Sequence, residues 1–165
     1  MIIELGNIFV ADGSIIELNL DFNFDDVEYY GIYPFNEKVV LKGEISNHAG
    51  LVTLNGNVRC NYTAPCDRCG EICSEMIDFD INYTLVQKLE NDDEKDGFII
   101  VSEKKIDIDE VVLADLILNV PMKHLCDDDC KGLCAGCGTN LNLADCECKE
   151  DNIDPRLAAL KQLLD

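Results

Sequence analysis

The sequence predicts an α+β protein: a mostly antiparallel, curved β-sheet or partial barrel, one packed helix, and a C-terminal cysteine-rich zinc-binding module that ends in a short helix. Three observations lead to this prediction. Apolar and polar residues alternate through much of the first hundred residues, a helical period begins at Asp107, and six cysteines fall within the 23 residues Cys126–Cys148. We therefore expect a β domain with its helix over residues 1–121 and a zinc module with the final helix over residues 122–165.

Strands with one buried face are indicated wherever apolar residues recur at every second position. Two stretches show this pattern most clearly, and polar residues fill the positions between the apolar ones. The first consists of Ile16, Leu18, Leu20, Phe22 and Phe24, and the second of Ile77, Phe79, Ile81, Tyr83 and Leu85. Because the outer face is polar, we expect an antiparallel sheet with one solvated side, running from Ile2 to Val101.

A β-hairpin is predicted around Asn47–Gly50, because alternating apolar residues precede and follow this short polar segment. Gly43 and Gly56, inside the two arms, suggest bulges or tight curvature. Upstream, four aromatic residues crowd around Gly31 and Pro34, where we expect the chain to bend and place aromatic rings in the core. These four are Tyr29, Tyr30, Tyr33 and Phe35.

The packed helix is predicted over residues 107–120. Asp107 and Glu110 resemble a capping box, apolar residues follow at helical spacing, and Pro121 ends the helix. A final short helix is predicted after Asp154, with Pro155 at its first helical position and leucines on one face. This last helix is too short to be stable alone and must dock on another element.

The C-terminal cysteines indicate a metal centre, because the glycine- and aspartate-rich residues between them cannot form an apolar core. The spacing is Cys-x3-Cys-x3-Cys-x2-Cys-x8-Cys-x-Cys. A disulfide framework is the main alternative, and iron–sulfur or redox chemistry is another. Residues 1–10 do not resemble a secretory signal, and no apolar run approaches a membrane span, so we expect a reducing, cytoplasmic location.

A second Cys-x-x-Cys element, Cys66 and Cys69, interrupts the sheet and needs two distant thiolates to complete a tetrahedral site. Cys60 continues the apolar parity of its strand and is expected in the core, whereas Cys73 is ambiguous. We predict two zinc ions. One set of ligands is Cys66, Cys69, Cys126 and Cys130, and the other is Cys134, Cys137, Cys146 and Cys148.

A rival arrangement of the metal leaves Cys66 and Cys69 as a free dithiol. In it, one zinc ion binds four of the six C-terminal thiolates, or two ions share all six. A redox role for the Cys66–Cys69 pair is a further alternative, although no thioredoxin-like βαβ pattern surrounds it.

Composition argues against wholesale nucleic-acid binding, because Asp and Glu outnumber Lys and Arg by 33 to 13, for a formal net charge of −20. Several basic residues nevertheless lie in or beside the cysteine segments and either form one basic face or are simply solvated. The candidate partner-binding residues among them are Arg59, Arg68, Lys123 and Lys131, with His124 and Lys149 nearby. No residues are spaced as a catalytic acid–base pair, nucleophile elbow or phosphate loop, so we expect neither an enzyme nor a small-molecule substrate.

Several of these motifs together resemble the YceD family of bacterial and plastid proteins, which is linked to accumulation of large-subunit ribosomal RNA. The C-terminal cysteine pattern, with Lys131-Gly132-Leu133 and Leu141-Asn142 inside it and Asp154-Pro155-Arg156-Leu157 after it, carries most of the resemblance. The Cys66-Asp67-Arg68-Cys69 element also matches, so the similarity extends from about Gly56 to Leu164.

The resemblance implies a non-catalytic ribosome-biogenesis factor that acts on production or maturation of large-subunit ribosomal RNA. Its implied partner is that RNA or a basic large-subunit ribosomal protein, which it binds directly or within a pre-ribosomal particle. The acidic composition favours contact through a protein. The alternative function is a thiol redox or electron-transfer protein that uses the Cys-x-x-Cys pairs.

Overall fold

The computed structural model describes residues 1–88, 97–101 and 103–148, and this part of the chain is mainly sheet with a single helix. The elements in chain order are β1 (Ile2–Glu4), β2 (Ile15–Phe22), β3 (Val39–His48), β4 (Leu51–Pro65), β5 (Ile72–Val86), β6 (Phe98–Ile100), β7 (Lys105–Asp107) and α1 (Ile108–Leu118). The final helix predicted after Asp154 lies outside the described residues.

Five strands form the main sheet, in the order β2-β3-β4-β5-β6. β2 pairs with β3 and β3 with β4 in antiparallel fashion, whereas β5 and β6 are parallel. The prediction of a mostly antiparallel sheet is therefore confirmed. A barrel is not confirmed, because the sheet is open and, within the described ranges, β2 and β6 are its two edges.

The first strand does not belong to the main sheet, so the prediction of one sheet from Ile2 to Val101 is wrong. β1 pairs with β7 in a separate antiparallel sheet of two strands. The amino terminus adds an ionic contact there, with its nitrogen 3.0 Å from an oxygen of Asp107 and 2.7 Å from one of Asp109. β7, which directly precedes α1, supplies the hydrogen-bond partners of β1. The alternation of apolar and polar residues alone could not identify this pairing.

The hairpin is present, and it places two glycines against each other. His48 pairs with Leu51, so Ala49 and Gly50 form a two-residue turn. Gly43 pairs with Gly56, and the register continues without interruption on both sides. Neither glycine therefore forms a bulge. Because neither has a side chain, the pair lets the two backbones approach closely.

The core lies between the main sheet and α1. Ile108, Val112 and Leu116 are fully buried and belong to the same apolar cluster as the inward-facing residues of the strands. These strand residues include Leu18, Phe22, Leu41, Ile45, Leu54, Val58, Cys60, Ile77, Ile81 and Leu85. Burial of each large side chain contributes roughly 1.5 to 3 kcal/mol, which holds the helix in place. The predicted core position of Cys60 is confirmed.

The helix begins at Ile108, one residue after the predicted start, because Asp107 is its N-cap and accepts a hydrogen bond from the Asp109 N–H. Among the described residues, no helix is long and apolar enough to cross a membrane. One polar contact is built into the helix–sheet layer: the Tyr83 hydroxyl donates to the buried Asp115 carboxylate at 2.5 Å.

Candidate metal centres

Contacts between residues divide the chain into two units. The first unit is Met1–Ala64 with Ser74–Met122, and the second is Pro65–Cys73 with Lys123–Asp165, of which residues up to 148 are described. All eight predicted metal ligands lie in the second unit. The domain boundary predicted near residue 121 stays a prediction.

Four of these cysteines, Cys66, Cys69, Cys126 and Cys130, form what we call the first cysteine set. All four sulfurs lie within 4.8 Å of one another. The Sγ atoms of Cys66 and Cys130 are 3.8 Å apart, and those of Cys69 and Cys126 are 3.5 Å apart. A disulfide requires about 2.05 Å, and none of the ten cysteines, all of which lie within the described residues, forms one, so this is not a disulfide framework.

The loop between β4 and β5 places the first pair of this set through a tight backbone knuckle. The Gly70 N–H donates to the Cys66 carbonyl at 2.9 Å, and the Cys66 N–H donates to the Glu71 carbonyl at 2.8 Å. Gly70 has a φ of +75°, a conformation that glycine adopts without the strain of a side chain. The turn therefore brings the sulfurs of Cys66 and Cys69 to the same side.

The two residues between Cys66 and Cys69 hold the chain segment that supplies the other pair. Asp67 pairs with His124 twice: its N–H donates to the His124 carbonyl at 2.9 Å, and its carboxylate accepts from the His124 N–H at 2.7 Å. Arg68 donates through Nη1 to the Cys130 carbonyl at 2.7 Å. These hydrogen bonds fix Cys126 and Cys130 opposite the knuckle.

The remaining four cysteines, Cys134, Cys137, Cys146 and Cys148, form the second cysteine set, whose sulfurs also lie within 4.8 Å of one another. A second knuckle surrounds Cys134, since its carbonyl accepts from the Gly138 N–H at 2.8 Å. The sulfurs of this set are more accessible than those of the first, with Cys137 and Cys148 exposed.

In each set, two thiols have a lowered pKa and two have a raised pKa; the lowered ones are Cys66 and Cys130 in the first set and Cys134 and Cys137 in the second. Burial acts to raise the pKa of Cys66, but backbone N–H groups, led by that of Cys126, lower this pKa to about 6. The Cys137 N–H lowers the pKa of Cys134 to about 6. In contrast, the Cys137 side chain raises the pKa of Cys148 to about 12. Four thiolates so close together repel one another unless a cation lies between them.

The geometry of both sets fits one tetrahedral metal ion each. A Zn–S distance of about 2.3 Å places the sulfurs of a tetrahedron about 3.8 Å apart, which is close to the separations in the first set. The structure thus groups the eight sulfurs in the two combinations predicted from their spacing, and either set could hold a metal ion. That these residues bind zinc stays a prediction.

The four candidate partner-binding residues occupy different settings. Arg59 lies in the first unit, where its Nε is 2.8 Å from the Asp78 carboxylate. Arg68 is used within the second unit as a donor to backbone carbonyls. Lys123 and Lys131 are exposed. The partner-binding role of these residues stays a prediction.

His124, which could have contributed to a basic face, is buried beside the first cysteine set. Only 3% of its surface is exposed. Its Nε2 atom lies 3.0 Å from the Cys73 sulfur and 3.1 Å from the Cys73 carbonyl oxygen. Sequence spacing gave no signal for this contact, because the two residues are 51 positions apart and neither belongs to a predicted ligand set.

Comparisons with known proteins identify similar chains. The family model described as "Large ribosomal RNA subunit accumulation protein YceD" matches residues 54–164. Two plant relatives carry the name "Large ribosomal RNA subunit accumulation protein YCED homolog 1, chloroplastic". The one from Zea mays is 25% identical and covers 90% of this chain, and the one from Arabidopsis thaliana is 27% identical and covers 79%.

The chain matches only part of each plant relative, 61% of the maize protein and 50% of the Arabidopsis protein. A bacterial relative, YlbN of Bacillus subtilis (strain 168), is 27% identical over an alignment that covers 76% of this chain and 74% of YlbN. No solved structure matches the chain significantly.

Proposed function

Because this chain belongs to the YceD family of large ribosomal RNA subunit accumulation proteins, we propose that it is a non-catalytic, zinc-binding factor in ribosome biogenesis. Its role is to promote accumulation or maturation of large-subunit ribosomal RNA. The observation that carries this proposal is the extent of the family match, since residues 54–164 include both cysteine sets. The chain acts in a reducing compartment, the cytoplasm, where its free thiols persist.

Zinc is the metal we propose, with one ion in each set. Closed sites with four thiolate ligands are typical of structural zinc, and zinc carries no redox chemistry that an RNA factor would have to control. Iron also binds four thiolates, but iron–thiolate sites absorb visible light and zinc sites do not. A colourless protein that contains two zinc ions per chain would therefore support the proposal, and a coloured one would favour electron transfer.

We propose a basic large-subunit ribosomal protein as the direct partner. The chain binds this protein either by itself or within a pre-ribosomal particle. The formal net charge of −20 repels phosphate backbones and attracts basic proteins. Two of the candidate cations are already engaged, Arg59 with a carboxylate and Arg68 with backbone carbonyls. Lys123 and Lys131 remain exposed and are the residues we assign to any local contact with RNA.

Depletion of the protein in its source cell tests the cellular role. We expect the large-subunit ribosomal RNA to fall relative to the small-subunit RNA, and the wild-type gene to restore it. A variant with Cys66→Ser and Cys69→Ser should fail to restore it, whereas Cys60→Ser, a core change outside both cysteine sets, should succeed. An unchanged RNA ratio on depletion would contradict the proposed function.

Affinity capture tests the proposed partners. The protein should retain large-subunit ribosomal proteins or RNA from a lysate at low salt, and retention should weaken as salt rises because the contact is electrostatic. Lys123→Glu together with Lys131→Glu separates the two routes: it should abolish direct capture of RNA but leave capture of a basic protein intact. Recovery of neither class at low salt would count against both routes.

A further inference from the structure

A short hairpin in the second unit connects the two cysteine sets. Leu133 and Asn140 form an antiparallel bridge, and the Leu141 N–H donates to the Gly132 carbonyl at 2.9 Å. The tip of this hairpin is the knuckle that carries Cys134 and Cys137 of the second set. Its first arm begins directly after Cys130, the last ligand of the first set.

The second arm of the hairpin brings Asn142 against the first set. The Asn142 Nδ2 atom is 3.3 Å from the Cys130 sulfur, and its Oδ1 accepts from the Lys131 N–H at 2.7 Å. Asn140 orients this side chain, because the Asn140 Oδ1 lies 2.9 Å from the same Nδ2 and accepts from the Asn142 N–H at 3.0 Å. The amide thus donates to the sulfur of Cys130, a residue that is only 3% exposed.

We propose that Asn142 is a positioning residue that couples the two metal sites, so that an ion in the second set strengthens binding of an ion in the first. The inference rests on the proposed zinc binding, but it is independent of the role in RNA accumulation. It goes beyond the presence of two sites, because it makes their occupation cooperative through one named side chain.

The physical basis is that Asn142 lies in the eight-residue segment between Cys137 and Cys146 of the second set. An ion held by that set fixes both ends of this segment. Asn142 then loses less conformational entropy when it forms its hydrogen bond to the Cys130 sulfur. A hydrogen bond to a thiolate ligand stabilises the charged form that binds metal, and loss of such outer contacts typically lowers metal affinity by about 10- to 100-fold. Coupling of this kind is reciprocal, so the first set strengthens the second equally.

Native mass spectrometry of the full chain with one equivalent of zinc tests the coupling. For two independent sites of equal affinity, about half of the molecules carry one ion, and a tenfold coupling reduces that share to about a quarter. We expect about a quarter of the wild-type molecules or fewer to carry one ion. The Asn142→Asp variant keeps the acceptor for the Lys131 N–H but loses the donor to sulfur, so the one-ion form should become more abundant.

Asn61→Ala is the matched control, because Asn61 is an asparagine of the first unit whose exposed side chain donates to Glu37. It should leave the distribution unchanged. A second measurement guards against misfolding: thiolate-to-cobalt absorption reports the affinity of the first set for Co²⁺. Removal of the second set by Cys146→Ser and Cys148→Ser should lower that affinity about tenfold in the wild-type background and not at all in the Asn142→Asp background.

The outcomes separate this inference from the proposed function. Two zinc ions per chain with the same distribution in the wild-type and Asn142→Asp proteins would overturn the coupling and leave the RNA role standing. A cobalt affinity that falls equally in both backgrounds would also overturn it. Absence of metal from both sets would overturn the coupling and the zinc-binding part of the proposed function together.

Discussion

Replacing Cys66 and Cys69 by serine together should lower the zinc content from two ions per chain to one. The four sulfurs of the first set lie within 4.8 Å of one another, so one ion could contact all four. The double variant leaves only Cys126 and Cys130, and two thiolates do not close a tetrahedral site. The second set shares no ligand with the first and should keep its ion.

The size of the effect follows from the number of ligands. A structural zinc site contributes about 10 to 16 kcal/mol at neutral pH, so loss of two of four sulfurs removes on the order of 5 to 8 kcal/mol. Each 1.4 kcal/mol is a tenfold change, so the affinity of the first set should fall by roughly four to six orders of magnitude. An ion bound so weakly is lost during gel filtration in the presence of a chelator.

Metal analysis after gel filtration measures this effect, with native mass spectrometry to count ions in each molecule. Two single variants serve as controls. Cys73→Ser changes a cysteine near the first set whose sulfur belongs to neither set, and Cys60→Ser changes one in the apolar core. Both should retain two ions. An unchanged zinc content in the double variant would refute the grouping and favour the rival, in which Cys66 and Cys69 form a free dithiol.

Three further predictions concern stability. Gly43→Ala should destabilise the first unit by about 3 kcal/mol in urea unfolding, against little change for Lys42→Ala, because a Cβ at residue 43 would lie 2.2 Å from the Asn55 carbonyl oxygen. Burial, with the hydrogen bond to Asp115, raises the pKa of Tyr83 to about 12 from its ordinary value of 10, so the folded state holds this proton more tightly. Stability should therefore be unaffected by this group below pH 10 and fall by roughly 2 to 3 kcal/mol as the pH rises towards 12, a loss absent from Tyr83→Phe. Finally, a zinc chelator should unfold the second unit and leave amide protection of the sheet and α1 intact; simultaneous loss of both would contradict the assignment of metal to the second unit alone.

Local sequence patterns predicted the strands, the hairpin and the helix because each of these depends on neighbouring residues. A Cys-x-x-Cys pair likewise fixes two sulfurs on one side of a turn. Joining Cys66 and Cys69 to cysteines about 60 positions away relied instead on the four ligands that a tetrahedral site needs. The pairing of β1 with β7 could not be predicted, because it joins residues about a hundred positions apart through a ladder of backbone groups. Such pairing leaves no trace in side-chain alternation.

Two errors have a more local cause. The aromatic segment was expected to place its rings in the core, and Phe35 is indeed buried, but Tyr30 is 91% exposed. Tyr30 and Gly31 both have positive φ angles, which reverse the direction of the chain and break the alternation of faces. The buried contact of His124 with Cys73 was missed for another reason, because a single histidine beside a lysine is typical of a solvated surface.

The described part of the second unit, residues 65–73 and 123–148, contains too little apolar surface to fold by burial alone. Its buried cluster consists of Cys66, Cys69 and Cys130, with Cys73 and Leu125 packed against it. Burial of five such side chains contributes at most about 10 kcal/mol, whereas ordering the backbone costs roughly 1 to 2 kcal/mol for each residue. The hydrogen bonds of Asp67, Arg68 and Asn142 fix the arrangement of this unit, but they do not offset the remaining entropy cost. We therefore expect metal ions in the two cysteine sets to take the place of a hydrophobic core in this unit.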